Sequence, residues 1–104
     1  MIRDGIIRDL LKCANEISVT SIDEKRALLI EASLSIRWAS NLISLSGIQV
    51  RETDIADGID EFVTALEFRY NDETSDIMLE ATGAIRLLRL MLGLKQERLD
   101  QSDQ

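Results

Sequence analysis

The sequence predicts an all-α protein, a single domain folded as an antiparallel four-helix bundle. The chain has 104 residues without a proline, and apolar residues make up 45% of it. These apolar residues recur at intervals of three and four, the spacing of one helical face. The length suits one hydrophobic core, so residues 1–100 are expected to form the bundle and residues 101–104 a polar, frayed tail.

The first predicted helix carries its apolar residues on one face: Ile6, Ile7, Leu10, Leu11, Ala14 and Ile17. Cys13 borders that face, and we interpret it as a small, semi-buried apolar residue. Because the chain has one cysteine and no histidine, it offers neither an intramolecular disulfide nor the ligands of a zinc site. A lone reduced thiol and the absence of a signal peptide or a long apolar segment predict a cytoplasmic protein.

Ser21 and Glu24 have the spacing of a capping box and predict the start of the second helix. This helix is expected to continue to Ser46 and to end at Gly47, a residue suited to the left-handed conformation that follows a helix. Its apolar residues span about 220° of arc, whereas a surface helix of a bundle needs about 100°. The surplus forms a second face that consists of Leu34, Trp38 and Leu45.

The third helix is predicted to begin after Thr53 as N-cap, with Asp54 in its first turn. Its apolar stripe comprises Ile55, Ile59, Phe62, Val63, Leu66 and Tyr70. Its outer face is acidic and comprises Asp54, Asp57, Asp60, Glu61 and Glu67. Asn71 and Asp72 are expected to end this helix and to cap the next.

The fourth helix is predicted to extend from about Glu73 to the late 90s. The segment "AIRLLRLMLGL", residues 84–94, again covers about 220° with apolar residues and leaves only Arg86, Arg89 and Gly93 on the remaining side. Because a glycine in a helix interior costs about 1 kcal/mol relative to alanine, Gly58 and Gly83 are expected to mark close helix crossings.

Two explanations account for the surplus apolar surface on the second and fourth helices. Both helices could be central and pack on two sides each. We favour the other, a surface for self-association or for a partner and most simply a homodimer, because a small bundle has few layers in which to bury so much apolar surface. The predicted dimer interface combines Leu34, Trp38 and Leu45 with Leu87, Leu90 and Leu94.

The net charge of −7 arises in one segment. Residues 51–80 contain ten acids against Arg51 and Arg69, while the rest of the chain has nine acids and ten bases. Without clustered Lys and Arg, direct nucleic-acid binding is not expected. The acidic segment is instead interpreted as a docking surface for a basic partner protein, and its expected residues are Asp54, Asp57, Asp60, Glu61 and Phe68.

Carboxylates at three-and-four spacing could also hold Mg²⁺, since Asp54, Asp57 and Glu61 share one helix flank. The spacing loosely resembles that of the all-α nucleotide pyrophosphatases, in Glu24 with Glu31 and in Asp57-x-x-Asp60. The two glutamates are seven residues apart, however, instead of three or four. We therefore expect a solvated acidic face, with no metal and no cofactor.

The sequence thus predicts a non-enzymatic regulatory or adaptor protein that binds another protein and could inhibit a basic or nucleic-acid-binding partner through its acidic helix. One alternative is an Mg²⁺-dependent enzyme of the pyrophosphatase type. A second is a structural subunit of a larger helical assembly. Membrane binding by the fourth helix is not expected, because anionic lipid would repel the net negative charge.

Overall fold

The computed structural model describes residues 1–94, 96 and 97, and it consists of four α-helices and two short 3₁₀ turns. The helices are α1 (Ile6–Asn15), α2 (Ile22–Ser44), α3 (Glu52–Val63) and α4 (Asn71–Met91). The 3₁₀ turns are η1 (Ile17–Val19) and η2 (Leu66–Phe68). The predicted all-α fold with four helices is confirmed. The predicted boundary at residue 100 and the tail 101–104 lie outside the described residues.

The two long helices, α2 and α4, pack against each other, and each is covered by the short helix of the other half. Helix α1 lies along α4 and is antiparallel to it. The Ser75 hydroxyl near the start of α4 donates to the carbonyl of Ala14 at the end of α1 (2.9 Å). At the opposite end, the Arg89 guanidinium donates to the carbonyl of Arg3 (3.0 Å).

Helix α3 lies antiparallel along α2 in the same manner. Arg26, near the start of α2, pairs with Glu67, which follows the end of α3. The N-terminal ends of α2 and α4 lie together, because Lys25 Nζ is 3.4 Å from Asn71 Oδ1. The turns η1 and η2 cross over at this end, so that η1 contacts α4 and η2 contacts α2.

This arrangement reflects an internal repeat with a spacing of 49 residues (72 − 23 = 49) that the sequence analysis missed. The segment "IDEKRALLIEASLSIR", residues 22–37, aligns without gaps with "NDETSDIMLEATGAIR", residues 71–86. The identical pairs are Asp23 and Asp72, Glu24 and Glu73, Glu31 and Glu80, Ala32 and Ala81, Ile36 and Ile85, and Arg37 and Arg86. Each half is a short helix, a 3₁₀ turn and a long helix.

The core is built from equivalent positions of the two long helices. Its buried pairs are Leu29 and Met78, Ala32 and Ala81, Ile36 and Ile85, and Ala39 and Leu88. The short helices and η2 add Ile6, Ile7, Leu10, Ala56, Ile59 and Leu66. Each fully buried Ile or Leu stabilises the fold by roughly 1.5–3 kcal/mol. The core faces predicted for α1, α2 and α4 are therefore buried at their centres.

The start of α2 agrees with the sequence, and its end lies slightly earlier than predicted. Ser21 Oγ accepts from the Glu24 amide (3.1 Å) while Glu24 accepts from the Ser21 amide (3.4 Å), so the capping box is confirmed. The helix ends at Ser44 instead of Ser46. Gly47 has φ 81°, the left-handed conformation expected of it.

The predicted boundaries of α3 are wrong at both ends. The helix begins at Glu52 because the Arg51 carbonyl already accepts from the Asp54 amide (2.9 Å), so Thr53 is not the N-cap. It ends at Val63, before η2. Tyr70, expected on the buried stripe, occupies the N-cap position of α4 and is 75% exposed.

Helix α4 ends at Met91, several residues before the predicted end in the late 90s. Gly93 has φ 71°, its amide donates to the Leu90 carbonyl (3.1 Å), and the Leu94 amide donates to the Arg89 carbonyl (2.8 Å). This pair of bonds is a Schellman motif, which terminates a helix. Arg89 was expected on the outer side, but it is only 4% exposed.

Arg89 is buried because it forms part of a clasp between the two ends of the described chain. The Glu97 carboxylate accepts from the amides of Ile7 (3.0 Å) and Arg8 (2.8 Å), the second and third residues of α1. It also accepts from Arg89 Nη1 (3.3 Å). The N-cap position of α1 is Gly5, which has no side chain to accept these bonds. Glu97 therefore caps α1 from the far end of the sequence.

We expect Glu97→Ala to lower the free energy of unfolding by about 3 kcal/mol, because it leaves the buried Arg89 charge unpaired and the first turn of α1 uncapped. Urea unfolding followed by the fluorescence of Trp38, the single tryptophan, measures this loss. The matched control is Gln96→Ala at the neighbouring exposed position, expected to change stability by less than about 0.5 kcal/mol. Equal effects of the two substitutions would contradict the clasp.

Because Glu97 acts as an ionised carboxylate in this clasp, we expect its protonation to lower the stability of the protein in acid. Burial raises the pKa of Glu97, but the hydrogen bonds from Arg8, Ile7 and Arg89 outweigh burial and hold this pKa below its usual value. The stabilisation is complete above the pKa of the unfolded chain, about 4.3, and is lost as pH falls through the lower pKa of the folded state. Between pH 6 and 3, wild type should therefore lose more stability than Glu97→Gln, and parallel unfolding curves would refute this.

Candidate functional site

The second apolar faces predicted for α2 and α4 lie on the surface. Leu34 is 63% exposed, Leu45 82% and Leu90 69%, and Leu87 and Leu94 are also exposed. Helices α2 and α4 are central and each packs against the other and against a short helix, but this packing leaves the residues of the second faces on the surface. The predicted dimer residues remain open in the single chain, and their pairing with a second copy remains a prediction.

Trp38 differs from the other predicted interface residues, because its ring is half-buried and packs against the core. It lies at the edge of the exposed face, not at its centre. Ile30 and Leu79, which occupy equivalent positions in the two halves, are exposed on the same faces. At 100° per residue, Leu79, Gly83, Leu87 and Leu90 fall within an arc of about 80°. We call these four residues the α4 outer face.

Gly58 and Gly83 do not mark helix crossings within the chain. Apart from the chain neighbours of each glycine and the backbone of its own helix, no atom of the described residues comes within 4 Å of the position that a Cβ would occupy. Both are exposed helix-interior residues. The expectation of close packing at these two positions is therefore wrong for the single chain, and Gly83 lies at the centre of the α4 outer face.

The acidic face predicted on α3 is partly turned towards α2. Arg37 Nη2 lies 2.6 Å from both Asp57 Oδ1 and Asp60 Oδ2. The buried Ser33 hydroxyl donates to Asp60 Oδ1 at 2.6 Å. Burial raises the pKa of Asp60, but the bonds from Ser33 and Arg37 outweigh it and lower this pKa below its ordinary value. Asp60 therefore helps to hold α3 on α2 through Ser33 and Arg37, although its side chain remains 51% exposed.

Asp54 and Glu61 are exposed, as predicted, and have no ion-pair partner within residues 1–94, 96 and 97. Phe68 is also exposed, at 82%. It lies in η2 and not on α3, so it is separated along the chain from the flank of Asp57 and Asp60. The structure divides the predicted docking residues into Asp57 and Asp60, which are exposed but paired with Arg37, and Asp54, Glu61 and Phe68, which are exposed without such a pair.

Sequence analysis missed a second set of exposed apolar residues beside Phe68, at the end of the bundle where α2 and α4 begin. Four residues form this end surface: Val19, Ile22, Phe68 and Tyr70, all of them exposed. Val19 and Phe68 are equivalent residues of the repeat (68 − 19 = 49). A search for repeats would have identified the pair.

Acidic residues dominate the surroundings of the end surface. The segments 16–26 and 67–76, which contain it, carry seven acids (Glu16, Asp23, Glu24, Glu67, Asp72, Glu73 and Asp76) and three bases (Lys25, Arg26 and Arg69). Arg26 is engaged with Asp23 (3.4 Å) and Glu67 (3.7 Å). The guanidinium of Arg69 lies over the ring of Phe62, 4.7 Å from its centroid. The two segments that contribute the end surface thus combine exposed apolar residues with a net charge of −4.

Four of the carboxylates considered for Mg²⁺ already have partners in the protein, whereas Asp54 and Glu61 have no ion-pair partner among the described residues. Glu24 belongs to the capping box, and Glu31 pairs with Arg3 at 2.6 Å. Asp57 and Asp60 share Arg37. Within the part of the chain that the structure describes, no three His, Cys, Asp or Glu residues form a group that could hold a metal ion.

Cys13 borders an open cleft between α1 and the start of α2, lined also by Lys12, Glu16 and Glu24. The residue is buried, and its burial raises the pKa of the thiol. A reactive cysteine needs a lowered pKa. This agrees with the interpretation of Cys13 as a packing residue.

Comparisons with protein-family models, curated proteins and solved structures give no match. None of the helices in the described part of the chain combines the length and the apolarity required to cross a membrane. The surfaces described above are therefore the observations on which a functional hypothesis depends.

The internal role of Asp60 predicts a difference between two acids of α3. Asp60→Ala removes the nearer acceptor of the buried Ser33, at 2.6 Å against 3.4 Å for the Ala56 carbonyl, and one partner of Arg37, so we expect a loss of about 1 kcal/mol in the free energy of unfolding. Glu61→Ala, at the next position, should change it by less than about 0.5 kcal/mol. Urea unfolding of the two variants tests this, and an Asp60→Ala protein as stable as Glu61→Ala would contradict it.

Proposed function

We propose that the protein is a non-enzymatic regulatory or adaptor protein that binds the basic surface of a partner protein through its end surface. The observation that carries this proposal is Phe68, an 82% exposed aromatic side chain in a segment, residues 51–80, with ten acids and two bases. The binding residues are Val19, Ile22, Phe68 and Tyr70, with surrounding carboxylates that include Asp72.

The apolar centre supplies the affinity in this proposal. Phe68 and Tyr70 are large and have few rotatable bonds, and they lie in the connection between α3 and α4, Phe68 as the last residue of η2 and Tyr70 directly before α4. Aromatic residues with these properties frequently contribute most of the binding free energy in protein interfaces. In the free protein their rings are open to water, so a partner that covers them gains the free energy of apolar burial.

The acidic surroundings determine which partner is bound. Segments 16–26 and 67–76 have a net charge of −4, from seven acids and three bases. Such a field attracts a partner rich in Lys and Arg and repels an acidic one. It also disfavours a second copy at this surface, because two copies would bring like charges together. The partner is therefore a protein segment in which basic and apolar residues alternate.

A protein that covers such a segment can inhibit it. Basic, partly apolar surfaces are also used to bind the phosphates of nucleic acids, and an acidic competitor that occupies the same Lys and Arg residues prevents that contact. This is the mechanism by which the proposed adaptor would regulate a nucleic-acid-binding partner. It requires no catalytic group and no metal.

The test uses a synthetic amphipathic peptide of leucine and lysine as the probe and its leucine and glutamate counterpart as the control peptide. Fluorescence anisotropy should detect binding of the lysine peptide only, with affinity that falls as salt is raised. Phe68→Ser should weaken binding by about tenfold or more, equivalent to about 1.4 kcal/mol.

Leu45→Ser is the matched control variant, because Leu45 is also 82% exposed but lies near the end of α2. It should bind the lysine peptide as wild type does. The proposal is overturned if both peptides bind equally well, or if Phe68→Ser and Leu45→Ser weaken binding to the same extent.

A further inference from the structure

No contact among the described residues explains why position 83 is a glycine. Its exposed position suggests that the explanation is a contact with another molecule. A glycine inside a helix costs about 1 kcal/mol relative to alanine, and no atom of the described residues lies near enough to require it. Its equivalent in the first repeat is Leu34 (83 − 34 = 49), so a side chain is accommodated at this helix position in the other half. Glycine permits a backbone to approach very closely.

The residues around Gly83 have the composition of a helix contact. Leu79 and Leu87 lie one helical turn before and after it on the α4 outer face, and both are exposed. Leu90, one turn further, is 69% exposed. A second helix that crosses at Gly83 would cover these leucines, because the missing side chain allows it to approach the α4 backbone.

The charges along α4 indicate that the second helix is another copy of α4 and that the two copies run antiparallel. The exposed acids Asp72, Asp76 and Glu80 precede Gly83, and the exposed Arg86 follows it. A helix with an acidic first half and a basic residue in its second half is complementary to an antiparallel copy of itself. In a parallel pair, the acids of the two copies would instead face one another and repel.

The two repeats differ in how they use these charges. Glu31 and Arg37, the equivalents of Glu80 and Arg86, form intramolecular salt bridges with Arg3 and with Asp57 and Asp60, respectively. Glu80 and Arg86 have no ion-pair partner among the described residues. The charges of Glu31 and Arg37 are therefore paired within the chain, while those of Glu80 and Arg86 remain available to a second copy.

We infer that the protein forms a homodimer in which the α4 outer faces cross antiparallel at Gly83. The twofold axis passes beside Gly83, so Leu79 of one copy lies at the level of Leu87 of the second copy. This interface is isologous and closed, which limits the assembly to two copies. It is narrower than the predicted interface, because it uses Leu87 and Leu90 without the α2 residues Leu34, Trp38 and Leu45.

The dimer contact and the end surface are separate parts of the molecule. Gly83 lies in the middle of α4, whereas Phe68 precedes its first residue. A dimer through α4 therefore presents two end surfaces and can bind a partner that has two basic segments with greater avidity. The inference does not depend on the proposed function, since dimerisation and peptide binding are measured separately.

The decisive variant is Gly83→Ala, with Gly58→Ala as its matched control. Both glycines are exposed helix residues with open space around them, so alanine should make the single chain more stable in both variants. Only at Gly83 would the added methyl group obstruct the dimer. Sedimentation velocity over a hundredfold dilution should show that Gly83→Ala weakens dimerisation at least tenfold, while Gly58→Ala leaves it unchanged.

The direction of the helices is tested by cysteine cross-linking in a Cys13→Ser background. A mixture of Leu79→Cys and Leu87→Cys proteins should form a disulfide between copies, whereas Leu79→Cys alone should not. Leu87→Glu should be a folded monomer by circular dichroism and light scattering. Leu34→Glu should remain a dimer, because Leu34 lies outside the contact.

Four results would overturn the inference. They are a wild-type protein that is monomeric at every concentration, equal dimerisation of the Gly83→Ala and Gly58→Ala variants, a cross-link in Leu79→Cys alone, and a dimer that Leu34→Glu disrupts but Leu87→Glu does not.

Discussion

The whole architecture depends on a mismatch in helix length. Helices α2 and α4 have 23 and 21 residues, while the helices that cover them, α3 and α1, have 12 and 10. At 1.5 Å per residue a short helix spans about 15–18 Å of a partner that is over 30 Å long. Each long helix can therefore bury the face it turns to its two neighbours and no more. The exposed leucines, among them Leu45 and Leu90, are a direct consequence of this geometry.

The features that could be predicted from the sequence are those that neighbouring residues determine. The capping box at Ser21, the left-handed Gly47 and the apolar stripes depend on local spacing, and the structure agrees with them. Arg89 and Asp60 could not be placed in this way. Each is a charged residue at a position that helical periodicity assigns to solvent. Their partners, Glu97 and Arg37, are distant in sequence, and only the folded arrangement brings these groups together.

The internal repeat is present in the sequence, but it is evident only when the two halves of the chain are compared. Glu24 and Glu73 accept hydrogen bonds from the amides of the residues that precede α2 and α4. These aligned residues therefore have the same helix-capping role in both halves. The candidate site could be predicted only in part. The excess of acids and the exposure of Phe68 were accessible to sequence reasoning, whereas Val19 and Ile22 join Phe68 only because the two long helices begin at the same end.

The comparison between halves separates residues needed for folding from residues available for binding. Positions such as Ile36 and Ile85, or Ala32 and Ala81, are identical and lie in the core, since equivalent helices pack in the same way. The halves differ at some core positions, such as Ala39 and Leu88, and also at exposed positions. Gly83 replaces Leu34 on an outer face, and Phe68 replaces Val19 at the end surface. Neither change is required by the core, and we propose that they serve contacts outside the chain, with a second copy at Gly83 and a basic partner at Phe68.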